Sequence, residues 1–112
     1  MPSLINPALL NRFDDRPDVK RRLVKIYLET APENVSGVES ASAGREFSGV
    51  IWHAHALKGA SLAVGAERLA ALSDQLGRAA KSEDPQQIDP LVSLLMKCWV
   101  RTADALGKLI EN

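Results

Sequence analysis

Residues 47–64 read FSGVIWHAHALKGASLAV and carry the sharpest helical pattern in the sequence. Small and apolar residues recur in it at intervals of three and four, namely Phe47, Val50, Ala54, Leu57, Ser61 and Val64. That spacing places them along one side of a helix. Gly65 follows at once and is a typical helix-ending residue. The stretch therefore predicts a helix that begins near Glu46 and packs against other helices through this seam.

The sequence beyond Gly65 predicts two further helices. The inner face of the first contains Leu69, Leu72, Leu76 and Ala80, with Ala66 and Ser73 beside it. The pattern breaks between Lys81 and Pro85. We expect the last helix to begin at Asp89-Pro90, with the aspartate as its cap and the proline in first position. Its apolar residues are Leu91, Leu94, Leu95, Cys98, Leu106 and Leu109.

The sequence before residue 47 predicts a short helix followed by a long one. The short helix begins near Asn6 and has Leu9, Leu10 and Phe13 as its apolar face. The long helix begins at Pro17, after a turn at residues 14–17, and has Val19, Leu23, Ile26 and Tyr27 on its apolar side. It extends to about Ala43, with a turn at residues 42–45. Pro32 and Gly37 predict a kink or an early stop near residue 31.

Four main helices and a short leading one define an all-α chain, because alternating β-branched runs are missing. Short connections favour antiparallel neighbours, so we predict an up-and-down antiparallel four-helix bundle with a short N-terminal helix. The length of 112 residues suits a single domain over residues 1–112.

Composition narrows the class of function. Lys plus Arg and Asp plus Glu number 14 each, a balance that argues against a nucleic-acid binder. A single cysteine, Cys98, fits a reducing, cytoplasmic setting. No apolar run reaches the roughly 18 residues of a membrane span, and residues 1–6 lack the order of a signal peptide. We therefore expect a cytoplasmic chain without membrane contact.

The two histidines, His53 and His55, differ by about 200° in direction on a helix and cannot share a metal ion there. We expect no metal site, and a structural role for His53. The sequence contains no Gly-x-Ser-x-Gly element and no glycine-rich phosphate loop before Lys58-Gly59. We therefore expect no catalytic residues and no bound cofactor, so that the chain is not an enzyme by itself.

His55 lies on the flank of the seam that leads to solvent, and its helical neighbours suit group transfer. Lys58, three residues later, can stabilise an anionic group held on the imidazole. Gly59 lowers the stability of the helix by about 1 kcal/mol relative to alanine. It also leaves space for an approaching partner. Ile51, Trp52 and Leu62 can form an apolar rim for docking. An ordinary imidazole is largely neutral at neutral pH, as a nucleophile must be.

Residues 54–61, AHALKGAS, followed by Val64-Gly65, resemble the histidine-containing phosphotransfer (HPt) domain family, whose pattern is His-x-Leu-Lys-Gly and then Leu or Val before Gly. The resemblance implies a four-helix bundle in which His55 is phosphorylated, Lys58 is its charge partner and Gly59 gives clearance. It also implies receiver domains of response regulators as partners, which supply the aspartate and the Mg²⁺. The chain is then a monomeric carrier, either free-standing or a piece of a hybrid sensor histidine kinase.

The sequence departs from the family pattern on the helix after the motif, among other places, and leaves two other functions open. Family members often have a polar side chain near the histidine on the next helix, where this chain has Gly77; Arg78 or Lys81 are the candidate substitutes. One alternative function is a non-phosphorylated adaptor that docks and inhibits a receiver or a kinase, although an adaptor has no need of a nucleophile. A metal-binding bundle that uses His53 and His55 is disfavoured by geometry.

Overall fold

The computed structural model describes residues 1–111 and contains five α-helices over that range. They are α1 (Pro7–Asn11), α2 (Pro17–Ala43), α3 (Phe47–Ala63), α4 (Glu67–Ala80) and α5 (Pro85–Ile110). Helix α3 packs against α2 and α4, and α5 packs against α4 and α2, which closes the bundle. The connections between α2 and α5 are short, so neighbouring helices run antiparallel. The predicted four-helix bundle with a short leading helix is confirmed.

The seam of α3 forms the centre of the core, as its spacing predicts. Val50, Ala54, Leu57 and Ser61 are buried on it. The one polar member, Ser61, is satisfied because its hydroxyl lies 2.7 Å from the hydroxyl of Tyr27 on α2. Burial raises the pKa of Tyr27 to about 12.

Two further predictions about packing are confirmed. The predicted inner face of α4, Leu69, Leu72, Leu76 and Ala80, is buried throughout. Cys98 is buried as a packing residue of α5. Within residues 1–111, no helix combines the length and the apolar character that crossing a bilayer requires.

Helix α2 corrects two expectations. It continues without interruption through Pro32 and Gly37, so the predicted early stop near residue 31 is wrong. Pro32 faces solvent, where its missing N–H leaves only the carbonyl one turn earlier without its helical partner.

The apolar side of α2 is also shifted from the predicted one. Val19 and Ile26 are exposed, whereas the buried residues include Val24, Tyr27, Ala31, Val35 and Val38. Both stripes have helical spacing, and contact with α3 and α5 selects the second.

Helix α5 begins five residues earlier than predicted, so the expected cap at Asp89-Pro90 is wrong. Asp84 is the N-cap and accepts a hydrogen bond from the Gln86 backbone N–H at 3.0 Å, and Pro85 takes the first position. Asp84-Pro85 and Asp89-Pro90 both offer an aspartate cap followed by a proline. Burial of Ile88 between them favours a helix that begins at the first pair. Farther along α5, Leu95, Cys98 and Leu106 are buried as predicted, but Leu94 and Leu109 are exposed.

The N-terminal segment closes the end of the bundle where α3 turns into α4. The side chain of Asn6 caps α1 by accepting from the Ala8 N–H, and it also donates to Glu67 at 2.7 Å. The Asn6 backbone N–H donates to the Gly65 carbonyl at 2.7 Å. Gly65 has a φ of +76°, and a side chain there would overlap the Asn6 carbonyl. Glycine is therefore required at this turn for both reasons.

Candidate functional site

His55 lies near the middle of α3 and is exposed, while its neighbours Ala54 and Leu57 are buried. The seam therefore anchors α3 through one side and holds the imidazole outward on a rigid helix. Among residues 1–111, no side chain or backbone group is hydrogen-bonded to the His55 ring. Its nitrogen atoms are thus open to a molecule from outside.

The imidazole lies at the edge of a shallow depression between α3 and α4, with a volume of about 290 Å³. Residues of α3 form one wall and residues of α4 the other. The lining consists of Ile51, Ala54, His55, Lys58, Ser73, Asp74, Gly77, Arg78 and Lys81. Three cations, Lys58, Arg78 and Lys81, thus share this depression with His55. The structure places Arg78 and Lys81, the two proposed substitutes for the missing polar group at Gly77, on the wall opposite His55.

One carboxylate, Asp74, joins two of these cations. Its Oδ1 lies 2.9 Å from the Lys58 ammonium, and its Oδ2 lies 3.2 Å from Nε of Arg78. The hydrogen bond from Lys58 is the main cause that lowers the pKa of Asp74, and the positive charge of Arg78 adds to it. Sequence reasoning missed Asp74. Its spacing of four residues from Arg78 was the available signal, whereas the contact with Lys58 arises only from the packing of α4 on α3.

Gly59 lies one turn beyond His55 and is exposed. A methyl group built there would touch no atom within 4 Å among residues 1–111, apart from its own stretch of helix. Packing among residues 1–111 therefore does not require glycine at this position. At Gly77, across the depression, a methyl group would make only an ordinary contact of 3.9 Å with Ala54.

The predicted docking residues do not all lie on the outer surface. Trp52 is 65% exposed and Leu62 is 46% exposed, and both flank His55 on the outer face of α3. Together with Gly59 they form an outer strip at positions 52, 55, 59 and 62, whose spacing keeps them on one face. Ile51 is half-buried and lines the depression instead.

His53 lies on a different face of α3 from His55. It is half-buried, its Nδ1 is 3.1 Å from the amide oxygen of Asn34 on α2, and its ring lies against Gly37. These contacts fit the structural role predicted for His53. Across the described part of the chain, residues 1–111, no group of three His, Cys, Asp or Glu side chains is arranged to hold a metal ion.

Fold and site together define a class: a helical bundle that presents one imidazole on its surface beside a cluster of cations. Comparison with family models makes this more specific, since the Hpt domain model matches residues 22–111. The chain therefore belongs to the Hpt domain family.

Two solved structures have the same fold. Histidine-containing phosphotransfer protein B from Pseudomonas aeruginosa PAO1 is 16% identical, with a TM-score of 0.88, over 98% of this chain and 96% of that one. The HPT domain of a sensor hybrid histidine kinase from Shewanella is 18% identical, with a TM-score of 0.81, over 96% of this chain and 93% of that one. Comparison with curated protein sequences gives no match.

Proposed function

We propose that this chain is a phosphocarrier of a two-component phosphorelay, in which His55 accepts a phosphoryl group from a receiver-domain aspartate and passes it to another receiver. The observation that carries the proposal is the exposed imidazole of His55 beside the cations of Lys58, Arg78 and Lys81, in a chain of the Hpt domain family. The carrier works as a cytoplasmic monomer. Its receivers belong to response regulators or to a hybrid sensor histidine kinase.

In the proposed step, a ring nitrogen of His55 attacks the phosphorus atom. An N–P bond forms while the P–O bond to the aspartate breaks, and the carboxylate leaves with the bonding electrons. The phosphoryl group brings a charge of about −1.5 to −2 to the site, which the three neighbouring cations offset. We expect Mg²⁺ and the remaining groups for the reaction on the receiver.

The receiver approaches over the outer strip, where Trp52 and Leu62 offer exposed apolar surface on either side of His55. Gly59 lets the backbone of the partner come close to the imidazole, since no side chain projects from that position. Ile51 contributes from inside the depression. Lys58 is the nearest cation along the same helix and stabilises the phosphorylated state.

The test is phosphotransfer from a ³²P-labelled receiver to three versions of the chain: wild type, His55→Gln and His53→Gln. We expect an acid-labile label on the wild type and on His53→Gln, and none on His55→Gln. His53→Gln is the matched control because it also replaces an imidazole of α3, and circular dichroism checks that all three proteins fold. Label on His55→Gln would contradict the proposal.

A receiver that binds the folded wild type without labelling it would point to the alternative function instead. The chain would then be an adaptor that docks a receiver or a kinase and blocks it. Binding without transfer, measured by titration calorimetry with each receiver of the same genome, separates the two functions.

A further inference from the structure

Asp74 is the only acidic side chain among those that line the depression beside His55. Both of its oxygen atoms are engaged, one by Lys58 from α3 and one by Arg78 from its own helix. The carboxylate therefore forms a bridge across the site and holds two of the three cations. Its lowered pKa means that it carries its negative charge at neutral pH.

This bridge has two consequences for a phosphoryl group on His55. In the unphosphorylated chain, the ammonium of Lys58 is already paired, so a phosphoryl group must compete with Asp74 for it. In the phosphorylated chain, the carboxylate and the phosphoryl group share one small depression and repel each other. Both effects favour the unphosphorylated chain.

We infer that Asp74 is a positioning residue that holds Lys58 and Arg78 beside His55 and keeps the phosphorylated state of the chain unfavourable enough for onward transfer. The inference rests on the proposed function and extends it, since it names a group that affects how readily His55 transfers its phosphoryl group to a receiver. Asp74 touches the cations and not the reacting atoms.

The experiment measures the equilibrium of phosphoryl exchange between a receiver and the chain, for the wild type and for Asp74→Asn. Asparagine keeps the shape of the side chain and removes its charge. We expect the equilibrium to move toward phosphorylated His55 by roughly three- to tenfold, the size that one partly screened charge in the same depression can produce. Transfer from the variant to a second receiver should slow correspondingly.

Two matched variants control for charge and for folding. Asp104→Asn also removes a carboxylate that pairs with a cation four residues later, Lys108, but on α5; it should leave the equilibrium unchanged. Asp74→Glu restores the charge and should restore the wild-type equilibrium. Circular dichroism checks that each variant keeps the helical content of the wild type, so that the equilibrium is compared only between folded proteins.

An unchanged equilibrium in Asp74→Asn, or a shift away from phosphorylated His55, would overturn the inference while the proposed function stands. A wild type that no receiver phosphorylates would overturn the proposed function and this inference together. The labelling of the wild type thus distinguishes the two failures.

Discussion

His53 and His55 stand two residues apart on α3, and their surroundings differ. The ring of His53 packs on Gly37 and lies 3.1 Å from Asn34, whereas the ring of His55 faces outward beside Lys58. The direction of each side chain follows from helical geometry, so the sequence alone separates the two. The contact partners on the neighbouring helices do not follow from the sequence.

Gly59 offers a test at the scale of one residue, because we expect its replacement to affect an approaching receiver more than the chain itself. Gly59→Gln should raise the free energy of unfolding by up to about 1 kcal/mol, since glutamine is the better helix former. It should slow transfer from a phosphorylated receiver by roughly 10²-fold, the cost of displacing reacting groups by about 1 Å. Urea denaturation and single-turnover transfer kinetics measure the two effects.

Gly107 provides the matched control, since it also lies inside a helix and a methyl group there touches nothing within 4 Å among the described residues apart from its own stretch of helix. Gly107→Gln should give the same gain in stability and leave transfer unchanged. Equal transfer rates for the wild type and Gly59→Gln would show that this position does not face the receiver.

At the scale of elements, the pairing of α2 with α3 explains why α2 tolerates residues that usually interrupt helices. Gly37 makes room for the His53 ring, which a larger residue would displace. Pro32 faces solvent and removes one backbone donor from an otherwise intact helix. Burial along the rest of α2 outweighs both local penalties, since tertiary packing supplies most of the stability of a helix in a protein.

Gly37→Ala tests this contact between the two helices. Alanine is the better helix former by about 1 kcal/mol, but its methyl group would overlap the His53 imidazole. We expect a net decrease in the free energy of unfolding of about 1–3 kcal/mol, which is typical of overpacking. Urea denaturation measures it. The control is Gly107→Ala, which should stabilise the protein; stabilisation by both variants would show that the ring moves aside without cost.

At the scale of the whole molecule, the ion pairs Arg45–Asp89 and Lys58–Asp74 link different elements of the bundle. Arg45, in the connection between α2 and α3, lies 2.8 Å from Asp89 on α5, and Lys58 on α3 lies 2.9 Å from Asp74 on α4. Both pairs are partly exposed, so each contributes little at neutral pH. Their effect on stability is best observed as a dependence on pH.

Asp89→Asn tests the link to α5. The hydrogen bond from Arg45 is the largest cause that lowers the pKa of Asp89 from its ordinary value. A lowered pKa in the folded state contributes stability above the unfolded value, and this stability is lost as the pH falls through the folded value. Between about pH 6 and pH 3, the wild type should therefore lose more of its free energy of unfolding than Asp89→Asn does.

Arg45→Gln should reduce the acid sensitivity in the same way, because it removes the same hydrogen bond from the other side. Urea denaturation at several pH values gives the free energies. If the wild type and both variants lose stability in parallel, Asp89 has no share in the acid dependence.

Features that depend on neighbours along one helix could be predicted from the amino-acid sequence. The seam of α3, the inner face of α4 and the helix end at Gly65 were all predictable, because helical spacing and capping are local. The placement of His55 on the outer flank of α3 follows from the same spacing. So does its proximity to Lys58 and Gly59, which lie within one turn of it.

Features that depend on which helices meet were set by the packing of the bundle. On α2, two stripes have helical spacing, and packing buried the one with Val24 rather than the one with Ile26. On α5, either of two Asp-Pro pairs could begin the helix, and burial of Ile88 favours a start at the earlier pair. The bond between Asp74 and Lys58 joins side chains of two helices. In each case the choice depends on contacts between segments distant in sequence, which helical periodicity does not encode.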